Sequence, residues 1–156
     1  MLRFRISATL ILVAHTAVAL VHDLAHRDLG IELSEAQTTY INLVIVAAPV
    51  VAVILVWTRL KWAGAILFAF AMAGSLLFGL YHHYLFVSPD HVSHLPEGDL
   101  QSAFQITASL LALLEALGVA VGIWGIILGR GSEGKGPGVP SESLSPLLAT
   151  HRTPAT

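Results

Sequence analysis

The chain has 156 residues, 55% hydrophobic and 12% charged, with a net charge of −2 when histidine is neutral. Soluble domains carry roughly 25% charged residues, so this composition suits a surface that meets lipid rather than water, and nothing in the charge balance points to nucleic acid. No cysteine is present, which excludes disulfides, thiolate metal sites, iron–sulfur clusters and cysteine nucleophiles.

A bilayer core of about 30 Å needs roughly 20 apolar residues in helical form. Four stretches meet that length, at about 6–29, 38–57, 62–87 and 100–128. Each is expected to be helical, because an unpaired backbone amide in lipid costs several kcal/mol. The expected fold is therefore an all-α membrane protein, an up-down-up-down bundle of four transmembrane helices over residues 1–130.

The first span is broken by Ser7, Thr9, His15, Thr16, His22 and Asp23. At about 100° per residue, His15, His22 and His26 fall within about 40° of one another on one face. Ala19 lies on the same stripe and leaves room for a bound group or a close helix. His22 and His26 have the i, i+4 spacing that lets two imidazoles reach one metal from a single helix. Asp23 is a candidate for orienting a histidine, and Arg27 is placed to pair with Asp23 or Asp28. A rival reading takes Arg3, Arg5 and the Ala17-Val18-Ala19 sequence as a signal peptide, whose cleavage would leave three helices.

The second span carries Asn42 and a kink expected at Pro49. Thr58-Arg59-Leu60-Lys61 joins it to the third. That span has no charged residue and ends in Tyr81-His82-His83-Tyr84. Counted from the expected helix ends, His82 and His83 lie about 6–8 Å deep, His26 about 5 Å and His22 about 10 Å, so antiparallel packing brings them to one level. The loop that follows holds Asp90, His91 and His94. The fourth span has one acid, Glu115, on a stripe with Gln101, Gln105, Ala108 and Ala112. Glu115 and His15 are both expected about 21 Å from the histidine-bearing end, within reach of each other. The pairs Gly118/Gly122 and Gly125/Gly129, and Ala71, Ser75 and Gly79, have the small-residue spacing of closely packed membrane helices. Residues 131–156, rich in Gly, Ser, Pro and Thr, read as a disordered tail.

Basic residues mark the cytoplasmic side. Arg3, Arg5, Arg59, Lys61, Arg130, Lys135 and Arg152 fall on one side and Arg27 alone on the other. Both termini are thus expected in the cytoplasm, with the histidine-rich loops outside, or periplasmic in a Gram-negative cell.

Ionisable groups within a span are costly and by default mark function. The leading expectation is a metal centre held by His22, His26 and His82, with His83 as the alternate. His91 and His94 would close the site or pass metal into it. Asp23, Asp90 or Glu115 could add a carboxylate, Asp23 or Glu35 could orient a ligand, and His15 with Glu115 could relay protons. Imidazole donors suit Cu(II), Zn or Fe. An alternative is b-type haem, with His22 or His26 opposite His82 and space at Gly74 and Gly79. Further alternatives are a proton or ion path, and a non-catalytic subunit of a homo-oligomer or larger membrane complex. No motif names a reaction.

Overall fold

The computed structural model describes residues 1–133. Among them the chain is helical and contains no strand. Helix α1 is Leu2–Asp28, α2 is Glu35–Val56, α3 is Lys61–Leu85 and α4 is Gln101–Glu133. All four are long and apolar enough to cross a membrane, the apolar part of α4 being Gln101–Gly129. The helices begin and end a few residues from the apolar limits, since Arg3 and Arg5 continue the first turn of α1. Of the tail expected over 131–156, the first three residues continue α4 and the rest lie outside the described residues.

Local chemistry fixes the helix ends. α1 stops at Gly30, which sits at φ +62°, a conformation open to a residue without Cβ. Gly30 N–H donates to Arg27 O and Ile31 N–H to His26 O, so a Schellman turn satisfies carbonyls at the end of the helix. α2 starts with a capping box between Ser34 and Gln37. The kink expected at Pro49 takes the form of a widened, π-helical stretch at Ile41–Ala47 immediately before it. Pro49 has no N–H to offer the carbonyl of Ile45, and the wider turn accommodates that missing bond. A second π-helical stretch, Tyr81–Leu85, ends α3. At the start of α4, Leu100 N–H donates to Asp28 Oδ2, which ties that start to the end of α1.

Small residues set the helix contacts. α3 lies so close to α4 that a methyl group on Gly122 would sit 2.8 Å from Ala69 Cα and N. Gly118 faces Met72, Gly129 faces Trp62, and Gly125 lies under the Phe4 ring of α1. Gly64 of α3 meets the α2 backbone at Ala52 and Val56. The four glycines of α4 occupy the spacing read from the sequence, and they work by letting backbones and side chains approach.

Two apolar clusters cap the bundle. One, at the start of α1, contains Phe4, Ala8, Val56, Phe68 and Met72. The other, where α1 ends and α4 begins, contains Ala25, Leu29, Leu95, Phe104 and Ala108. Many large side chains point outward: Leu10, Leu20, Leu43, Phe70 and Leu77 are each more than 60% exposed. A water-soluble protein rarely shows so much contiguous apolar surface, whereas a bilayer favours it. The histidines gather beside the second cluster.

Candidate metal centre

His22 and His26 project from one face of α1, and the last turn of α3 brings His83 against them. The ring centroids are 4.9 Å apart for His22–His26, 5.0 Å for His22–His83 and 5.9 Å for His26–His83. One nitrogen from each lies within 4.8 Å of the others, so the group could hold a metal ion. All three side chains are buried, and Phe104 of α4 packs against each ring, 4.4 Å from His22, 4.8 Å from His26 and 5.2 Å from His83.

The hydrogen bonds around the cluster dictate where the ring protons sit. His83 Nδ1 lies 3.0 Å from the carbonyl oxygen of Asp90. A carbonyl only accepts, so Nδ1 carries the hydrogen and a neutral ring keeps its lone pair on Nε2. His22 Nδ1 lies 2.9 Å from Thr107 Oγ1. That hydroxyl has one hydrogen, and carbonyls of its own helix surround it, Ala103 O at 2.6 Å and Phe104 O at 3.1 Å. It donates there and accepts from His22, which again leaves the lone pair on Nε2. The two Nε2 atoms are 3.3 Å apart. In that tautomer two lone pairs face each other in a buried place, an arrangement that a cation turns from repulsive to attractive. The third ring adds to this, since His26 Nδ1 is buried with no hydrogen-bond partner. An unpaired buried nitrogen is costly, and metal ligation removes the cost.

The separation fits a metal. Two nitrogens each about 2.0–2.1 Å from a tetrahedral ion lie about 3.3 Å apart, and the observed Nε2–Nε2 distance is 3.3 Å. Beside the cluster lies a cavity of about 280 Å³, lined also by Ala19, Ser75, Gly79, Ala112 and Glu115. Asp90 is buried at the rim, with one carboxylate oxygen 3.9 Å from His83 Nδ1 and the other accepting from Ser88 Oγ. Glu115 reaches the cavity and accepts a 3.2 Å hydrogen bond from His15 Nε2, with both residues buried.

Neither a known protein family, a curated protein nor a solved structure matches the chain. The chemistry of the site therefore has to be read from its own geometry.

The other residues singled out from the sequence fall into three groups. His82, the third ligand expected from the sequence, is turned toward α2. Its Nδ1 accepts from Gln37 Nε2 at 3.4 Å, and its ring packs on Phe78 at 4.4 Å. Adjacent residues on a helix point about 100° apart, so only one of the tandem pair can face α1, and it is His83. His91 and His94 form a pair of their own in the loop after α3, with Nδ1 atoms 3.3 Å apart. Asp23 lies on the cavity wall but is half exposed and ion-paired to Arg27 at 2.6 Å. Glu35 is exposed in the first turn of α2 and makes no contact with the cluster.

Two participants escape a sequence reading. Thr107 shares a helical face with Phe104 and Leu111, and that spacing was the one signal available. The Asp90 main-chain carbonyl carries no sequence signal, because its role depends on the path of the loop.

Proposed function

We propose that this chain is a membrane protein that holds one divalent transition-metal ion between His22, His26 and His83. The observation that carries the reading is the convergence of three buried imidazoles, one nitrogen of each within 4.8 Å of the others and two of those nitrogens 3.3 Å apart. Borderline ions such as Zn and Cu(II), and Fe(II), match a set of imidazole nitrogens without thiolate. Thr107 and the Asp90 carbonyl hold the ligand rings in the metal-binding tautomer, the usual task of groups behind metal-bound histidines. Three protein nitrogens leave a further position toward the cavity. Such an open position belongs to centres that exchange a ligand rather than to closed structural ones.

The haem reading has less support. Nitrogens 3.3 Å apart leave no room for a macrocycle between them, and His82 faces Gln37 instead. A through-going proton path also has less support, since beyond His15 lie the buried Phe4, Phe68 and Met72. For the bundle we propose an up-down-up-down course with both termini cytoplasmic. Supporting it, Gly118, Gly122 and Gly129 meet Met72, Ala69 and Trp62, an order that rises along α4 and falls along α3. The basic bias of the loops supports the orientation. Phe4 and Ala8 belong to the core, which supports a first segment retained in the folded protein.

The test is elemental analysis with a visible spectrum on protein purified in mild detergent. About one metal ion per chain and no Soret band are expected. His22→Ala and His83→Ala should each lose the ion while remaining in the membrane. Full metal content in both variants would refute the reading, and a Soret band would favour haem.

A further inference from the structure

The loop between α3 and α4 carries a second pair of histidines that the buried centre does not use. His91 Nδ1 and His94 Nδ1 lie 3.3 Å apart, again close to the about 3.3 Å edge that a tetrahedral ion imposes on two nitrogens. Ser93 Oγ stands 2.8 Å from the first and 3.0 Å from the second, so three donor atoms converge on one point.

Hydrogen bonds fix the state of His91 here too. Its Nε2 lies 3.2 Å from the Tyr84 carbonyl and must donate to it. Nδ1 therefore keeps its lone pair, which accepts from the Ser93 N–H at 3.3 Å. One lone pair thus has the Ser93 amide, the Ser93 hydroxyl and the His94 ring crowded around it, more neighbours than one acceptor can serve. The loop that presents the pair is held to its surroundings. Val92 N–H donates to His83 O at 3.0 Å, and Gln105 Nε2 donates to Val92 O at 2.8 Å. His94 is exposed, and so open to solvent.

The residue before this pair is Asp90. It is buried, lines the cavity, and lies against His83 of the inner cluster. Between His94 and Asp90 the chain thus runs from an imidazole pair with one exposed ring to a buried carboxyl group that lines the inner cavity. Donor groups at His91, His94 and Asp90 lower the cost of moving a cation out of water toward the inner site.

We propose that His91 and His94 form a second, solvent-facing site for a borderline divalent ion, Zn or Cu(II), which loads the buried centre by way of Asp90. The loading step rests on the reading of His22, His26 and His83 as a metal centre; the surface site does not.

The experiment titrates the full chain in mild detergent with zinc, measuring stoichiometry and the rate at which a water-soluble chelator removes each ion. Two ions are expected, one stripped quickly and one slowly. His94→Ala is the first variant, because the described contacts of the His94 side chain are to Ser93 and His91 alone. It should lose the fast ion and slow filling of the buried site at least tenfold. Asp90→Asn should keep the fast ion and slow filling. His22→Ala should keep the fast ion and lose the slow one. If His94→Ala leaves two ions bound, the surface site is refuted. If it loses the fast ion while filling proceeds at the wild-type rate, the loading step is refuted. A single wild-type ion that disappears in His94→Ala but persists in His22→Ala would uphold the surface site and refute the buried centre.

Discussion

Thr107→Val is the most informative single change, because it tests the tautomer argument without touching a ligand. The substitution replaces the hydroxyl by a methyl of similar volume in a buried position of α4, where Thr107 is 7% exposed. The carbonyls that Thr107 Oγ1 approaches belong to its own helix and keep their backbone partners, so the helix loses little. His22 loses the 2.9 Å acceptor for Nδ1–H. With that acceptor gone, the ring is held less firmly in the tautomer with its lone pair on Nε2 and in its orientation toward His83. Groups standing behind metal-bound histidines typically contribute about 10–100-fold in affinity, which corresponds to about 1.4–2.8 kcal/mol. Zinc affinity should therefore fall by that factor in competition with a chromophoric chelator, while thermal unfolding in the metal-free state shifts little. Thr107→Ser should restore most of the affinity. Wild-type affinity in Thr107→Val would show that the hydroxyl does not set the His22 tautomer, and the facing lone pairs would lose their basis.

His82→Ala should leave the slowly removed ion at the wild-type level, whereas His83→Ala should abolish it; equal loss in both would mean that the end of α3 can rotate to offer either ring. Gly122→Ala should destabilise the bundle by about 1–3 kcal/mol, because the new methyl meets Ala69 backbone atoms at 2.8 Å. Gly118→Ala should cost less than Gly122→Ala, since its methyl meets the Met72 side chain, from Cγ at 2.6 Å, and no backbone atom. Reversible unfolding in mixed detergent micelles would rank the two, and the opposite order would contradict the packing described. A reporter fused after Arg130 should be active as a cytoplasmic fusion, and periplasmic activity would overturn the proposed orientation.

Much of this arrangement was legible in the sequence for a simple reason. A bilayer forces long apolar stretches to be helical, and a helix fixes which side chains share a face. That logic brought His22 and His26 together, and it paired His15 with Glu115, which the structure joins at 3.2 Å. It could not choose between His82 and His83. Both lie at the right depth, and the choice depends on how the wide turn Tyr81–Leu85 rotates the end of α3. Nor could it separate His91 and His94 from the inner cluster, because the route of a loop is set by contacts such as Val92 N–H to His83 O. Thr107 gives no distinct signal, because a hydroxyl on a helix commonly bonds its own backbone, as this one also does.

X-ray absorption on zinc-loaded protein tests the central claim most directly, with His94→Ala used so that only the buried centre contributes. The spectrum should show three imidazole nitrogens at about 2.0–2.1 Å and one light atom completing a four-coordinate shell. In His83→Ala carrying the same background change, the zinc should be lost. A shell of oxygen alone, or three imidazoles that persist without His83, would contradict a metal ion bound between α1 and α3.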